Sequence, residues 1–161
     1  MKLLTVSPLL LAMMALTTVA GEGNTDTIFP SCPRGWTQYW GRCFYYVSQP
    51  MIWGDAQENC QSMNANLASV HSPEEYLEIQ KLIFDDSKAS ERTWIGGTDA
   101  QQEGYWFWMD GTRVTYTNWC QGEPNNSYGN ENCMEMNFSG NKCMNDQSCY
   151  SKFPSVCVWK I

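Results

Sequence analysis

Five side chains with hard oxygen donors stand near one another in the second half of the 161-residue chain. Glu123 and Asn125 bracket Pro124, Glu131 follows, and Asn145 and Asp146 are adjacent. Calcium takes about six to eight oxygen ligands, and carboxylates and amide carbonyls are its usual side-chain donors. These side chains, with a backbone carbonyl and water, would complete one shell. Asn, Asp and Gly also favour turns, and composition by itself favours that plainer reading.

Other chemistries have thinner support. His71 is the only histidine, in the run Ala68-Ser69-Val70-His71-Ser72, with no nucleophile signature beside it. Glu123 and Glu131 are the kind of pair a glycoside hydrolase uses, but their place among calcium-type donors explains them better. The expectation is a protein that is not an enzyme. All eight cysteines fall between Cys32 and Cys157, with no Cys-x-x-Cys, so zinc lacks its spacing and its histidines.

The start of the chain points to disulfides instead. Met1-Lys2, an apolar run from Leu9 to Leu16 and small residues from Thr17 to Gly21 follow the order of a secretory signal peptide. Residues 1–20 are its expected extent, with cleavage after Ala20. The run is shorter than the ~20 apolar residues that span a bilayer. No later segment is apolar enough to cross one, so the expected product is secreted, extracellular and free of a membrane span. The formal charge is −7, and losing Lys2 deepens it by one. Such a surface repels phosphate backbones, which argues against nucleic acid as a partner; scattered acids also serve solubility.

The five donors need a frame. Residues 21–31 are polar and expected to be loose, and residues 32–161 form the ordered domain. Gly41 to Tyr46 suits a strand, with Cys32 and Cys43 clipping a hairpin. Ile52, Trp53, Ala56, Cys60 and Met63 share one helical face and predict a first helix. Ser72-Pro73-Glu74-Glu75 is a start signal for a second: serine cap, proline at the first position, glutamate completing a capping box. Asp85 to Ser90 breaks it. Trp94 to Gly97, Tyr105 to Trp108, Val114 to Tyr116, Cys133 to Asn137 and Ser155 to Trp159 read as short strands. Gln121–Asn132 and Ser139–Phe153 read as loops. The class is α+β, with two helices, antiparallel sheets and long disulfide-braced loops.

Several segments together resemble the C-type lectin domain over Cys32 to Trp159. They are Cys32-Pro33-x-Gly35-Trp36, Gly41-Arg42-Cys43-Phe44, Asn66 to Ser72 and Trp94-Ile95-Gly96-Gly97. Trp106-x-Trp108-x-Asp110-Gly111, Glu123-Pro124-Asn125 and Cys149 ahead of Ser155-Val156-Cys157 complete the set. The resemblance implies calcium held by Glu123, Asn125, Glu131, Asn145 and Asp146, with a cis peptide before Pro124. It implies sugar hydroxyls bound by the metal and by Glu123, Asn125, Glu131 and Asn145. The Glu-Pro-Asn form is associated with mannose-type sugars and a Gln-Pro-Asp form with galactose. The resemblance also implies the pairs Cys32–Cys43, Cys60–Cys157 and Cys133–Cys149, with Cys120–Cys143 as a fourth bridge. That extra pair looks closest to a fish group of ladderlectin-like lectins and type II antifreeze proteins. The antifreeze proteins carry one further disulfide, at positions matched here by Ala100 and Asn132. The family usually has Trp-Asn-Asp where this chain has Met144-Asn145-Asp146, and the softer backing predicts weaker calcium binding.

The expected function is a calcium-dependent lectin for mannose-type glycans on microbial or host surfaces, with a role in innate immune recognition; ice binding through the same fold is the alternative. A single shallow site binds a monosaccharide weakly, so a homo-oligomer would help, although no coiled-coil stalk is present. Most of the eight tryptophans are expected in the core, with Trp119 the one exposed candidate for stacking on sugar. Two sequons occur, at Asn125 and Asn137. A glycan on Asn125 would block the site, so Asn125 is read as a ligand; occupancy at Asn137 stays open.

Overall fold

The computed structural model describes residues 31–160. The signal segment and most of the loose segment lie outside the described residues, as does the last residue. The elements run β1 (Thr37–Tyr39), β2 (Arg42–Met51), α1 (Trp53–Ser62), β3 (Asn66–Leu67), α2 (Pro73–Ser87), β4 (Thr93–Thr98) and β5 (Phe107–Trp108). A short 3-10 turn (Ser127–Gly129), β6 (Cys133–Phe138), β7 (Cys143–Gln147) and β8 (Phe153–Lys160) follow. The strands make one sheet in the order β1-β2-β8-β4-β6-β7, with β3 beside β8 and β5 beside β4. The pairings are antiparallel except β4 with β8, which run parallel at Trp94 and Ser155. The sheet is therefore mixed.

The start signal of α2 works with one change. Ser72 Oγ accepts from the Glu75 N–H at 3.1 Å. Glu75 does not return the bond to Ser72; its Oε2 accepts the His71 N–H at 2.7 Å and its Oε1 pairs with Arg42. The helix runs three residues into the expected breaker and ends where Lys88 turns left-handed at φ 61°. A serine cap is worth about 1 kcal/mol. Full burial of an isoleucine is worth roughly 1.5–3 kcal/mol. Ile79 and Ile83, both buried against the sheet, thus hold α2 more firmly than its cap does.

Two apolar clusters flank the sheet. One lies under α2 and joins Phe44, Val70, Tyr76, Ile95, Trp108 and Met144. The other lies under α1 and joins Trp53, Ala56, Leu67 and Trp94 around Cys60 and Cys157. Gly96 belongs to the close approach between them. A Cβ there would come within 2.5 Å of the Leu67 carbonyl oxygen, which is backbone and cannot yield.

Four disulfides join Cys32–Cys43, Cys60–Cys157, Cys120–Cys143 and Cys133–Cys149, and among the described residues no cysteine is free. Two segments differ from the sequence reading. Val114 to Tyr116 is not a strand: Val114 and Tyr116 pack on the core while Thr115 faces out, but the backbone joins no neighbour. The stretch read as a loop from Ser139 to Phe153 contains β7, paired to β6 with Glu135 opposite Asn145 and Met134 opposite Asp146. Its polar residues are those of a strand whose partners supply the hydrogen bonds.

Candidate functional site

The loop between Cys120 and Cys133 folds back onto β7. Asp146, 1% exposed, draws it in: Oδ1 accepts the Asn125 N–H at 3.1 Å and Oδ2 accepts the Asn126 N–H at 2.7 Å. Glu131 holds the other arm, its Oε2 accepting the Ser127 N–H at 2.9 Å. Asn126, left-handed at φ 43°, accepts the Glu131 N–H and donates its own amide to Glu103. The Glu123–Pro124 peptide is cis. The two ends of the loop are pinned by bridges, since Cys120 is tied to Cys143 at the start of β7 and Cys133 to Cys149 beyond its end.

This arrangement brings Glu123, Asn125, Glu131 and Asp146 to one place, with Asn145 next to Asp146 on β7. The electrostatics are unbalanced. Burial raises the Glu123 carboxyl, and the nearby carboxyls of Asp146 and Glu131 raise it further. Burial also raises Glu131, with Asp146 and Glu135 adding to it. Glu123 Oε2 is enclosed and has no hydrogen-bond partner, although the side chain as a whole is only half-buried. None of the four ion pairs among the described residues involves Glu123, Glu131 or Asp146. Among those residues no three of His, Cys, Asp and Glu close a metal cage by themselves. Two of the five donors here are asparagine amides, so a cage made only of acids is not what the set would build. Hard oxygen donors with an enclosed, unpaired carboxylate oxygen fit calcium in their chemistry.

Several other expectations are settled by position. Trp119 is half-buried and packs on Trp106 with ring centroids 5.0 Å apart, so it is not an exposed platform. The exposed indole is Trp40, 88% accessible on the β1–β2 turn. Met144 is fully buried, and β7 is held from its outer side where Met144 N–H donates to the Asn118 carbonyl at 2.7 Å. Asn137 is 2% exposed, its amide donating to the Glu91 carbonyl and accepting from Gln80. In the folded chain that sequon is closed, whereas Asn125 is exposed.

His71 does gather partners, but not as a catalytic triad. Its Nε2 lies 3.1 Å from Ser69 Oγ and 3.3 Å from Thr112 Oγ1. Ser69 is fully buried, donates to Asp110 and accepts from Arg42, so its hydroxyl is already committed. Asp110 contacts the serine, not the imidazole that a triad acid would orient. Clefts of about 450, 690 and 570 Å³ lie beside this cluster, along α2 and beneath Trp40. None is lined by the five oxygen donors, which form a surface of loop and strand.

Sequence reasoning missed Arg92 and Glu135. Glu135 is fully buried behind Asn145, which donates Nδ2–H to Glu135 Oε1 at 2.9 Å. The available signal was an acid inside the apolar strand Cys133-Met134-Glu135-Met136, since a buried charge implies a partner.

The comparisons with known proteins agree with this fold. The Lectin C-type domain family matches residues 49–159. Ladderlectin of Oncorhynchus mykiss is 43% identical over 129 residues, 80% of this chain and 68% of its own. The galactose-specific lectin nattectin of Thalassophryne nattereri is 41% identical over 138 residues, 86% of each chain. Among solved structures, the herring type II antifreeze protein superposes with a TM-score of 0.76 at 40% identity, covering 81% of this chain and 99% of that one. A calcium-independent type II antifreeze protein gives 0.73 at 37% identity, covering 81% and 95%. Among the described residues no helix is long and apolar enough to cross a membrane.

Proposed function

The chain belongs to the C-type lectin domain family, and on that footing we propose that it is a secreted, calcium-dependent carbohydrate-binding protein for mannose-type sugars. Glu123, Asn125, Glu131, Asn145 and Asp146 would hold the ion. The observation that carries this reading is the enclosed, unpartnered Oε2 of Glu123 among carboxylates that burial and mutual repulsion push up. A hard cation balances such a set. When bound, the ion supplies a Lewis-acidic anchor for two neighbouring sugar hydroxyls. The chain's own part is orientation. Glu123 and Glu131 accept from hydroxyl protons, and the amides of Asn125 and Asn145 donate to hydroxyl oxygens. Exposed Asn125 stands where an arriving glycan can reach it. The Glu-Pro-Asn order supports mannose, and the galactose-specific relative makes galactose the control sugar. Recognition of glycans on microbial or host surfaces is the role this implies.

Ice is the second reading, and the comparisons support it equally, because proteins named as type II antifreeze share this fold at similar identity. One paired experiment separates the two. Retention on mannose resin and thermal hysteresis are each measured with calcium and with chelator. The expected result is retention on mannose that chelator abolishes, with no hysteresis. Hysteresis without binding to mannose or any arrayed glycan would overturn the lectin reading in favour of ice.

A further inference from the structure

Glu135 stands on β6 opposite Asn145 on β7, with its side chain fully buried. Its charge is met by Arg92, whose Nε donates to Oε2 at 2.8 Å and whose Nη2 donates to Oε1. The guanidinium is itself fixed between two rings, 5.1 Å from the Phe138 centroid and 4.6 Å from that of Phe153. Both oxygens of this carboxylate accept hydrogen bonds from the fork. The amide of Asn145 faces it at 2.9 Å. The Asn145 Nδ2–H donates to Glu135 Oε1, so the NH₂ group points to Glu135 and the carbonyl oxygen points away. Cations bind amides through the carbonyl oxygen.

We infer that Arg92 and Glu135 are positioning residues for the proposed calcium site, locking the Asn145 amide with its carbonyl oxygen presented to the ion. The inference rests on the calcium reading above and adds the device that orients one ligand. Neither residue touches the ion or the sugar. Their action passes through one hydrogen bond, in the way outer partners of metal ligands set ligand orientation.

The test is calorimetric titration of calcium into the full secreted protein and four variants, with near-ultraviolet circular dichroism to verify folding. Glu135→Gln is expected to weaken calcium binding by about 10- to 100-fold, because its amide can face Asn145 either way. Arg92→Lys keeps a charge but loses the fork, and a smaller loss of several-fold is expected, on the order of the lower end of that range. Asn145→Asp sets two carboxylates face to face and also weakens binding. Adding Glu135→Gln to Asn145→Asp reverses the direction of the hydrogen bond and is expected to strengthen binding relative to Asn145→Asp alone. That change of sign is a readout that a merely structural role would not produce. Folded Glu135→Gln with wild-type affinity, or the same loss in both backgrounds, overturns the inference. If Glu135→Gln does not fold, wild-type affinity in folded Arg92→Lys overturns it. A wild-type protein that takes up no calcium overturns the calcium reading itself, and this device with it.

Discussion

Glu123 and Asn125 differ in hydrogen-bonding character, and that difference gives the proposed site a direction. A carboxylate only accepts, while an amide also donates, so the pair matches hydroxyls that both give and take. Exchanging the two characters by Glu123→Gln with Asn125→Asp is expected to weaken retention on mannose and raise it on galactose. Unchanged preference on paired resins would mean this loop does not contact sugar. The proposed donors can be named from the sequence because side-chain type carries the chemistry and the five fall in two short stretches, although turns favour the same types and only the family resemblance gives them a shared role. Arg92 was not legible, because its partner Glu135 lies 43 residues away and only the β4–β6 pairing brings them together. Trp119 shows the converse: beside the loop in sequence, it turns inward onto Trp106 in space.

At the level of elements, the loop from Cys120 to Cys133 and strand β7 act as one unit. Read alone, Cys143 to Gln147 is polar enough to pass for loop. It becomes a strand because β6 supplies its ladder and Asp146 spends its carboxylate on the loop backbone. The Cys120–Cys143 bridge closes a separation of 23 residues around this unit. A loop of that size corresponds to about 3 kcal/mol in the chain-entropy account. Replacing both cysteines by serine is expected to lower stability by roughly that amount in denaturant titration. Calcium affinity should fall with it, because the start of β7 would no longer be tied to the loop. A variant with unchanged calcium affinity would show that the bridge serves stability alone.

For the molecule as a whole, the Arg42, Ser69, Glu75, His71, Asp110 and Thr112 network links β2, the start of α2 and the turn after β5. Burial lowers the pKa of His71, and the nearby Arg42 charge lowers it further, against the opposing pull of Glu75 and Asp110. A depressed imidazole pKa means the unfolded chain takes up the proton first. Stability from neutral His71 is therefore complete above about pH 6.5, the unfolded value, and is lost as pH falls through the folded one. Melting temperatures of wild type and His71→Gln should converge as pH drops from 7.5 to 5.5. A constant gap between them would remove His71 as a source of pH sensitivity. Nearby Ser69 keeps this cluster structural, since its hydroxyl is enclosed and doubly bonded.

What the residues determined alone is local and chemical. Ser72-Pro73 starts a helix because its cap and fixed φ need nothing beyond the next turn. The oxygen donors are visible by type, although turns favour the same types, and the resemblance to C-type lectins rests on many short segments at once. What only the tertiary structure decided is which groups meet. A buried charge is tolerable only where a distant partner answers it, as Arg92 answers Glu135. A polar stretch is strand or loop according to whether a neighbouring backbone is there to pair with it. Both depend on long-range contacts, which become favourable only once the whole chain has closed around them.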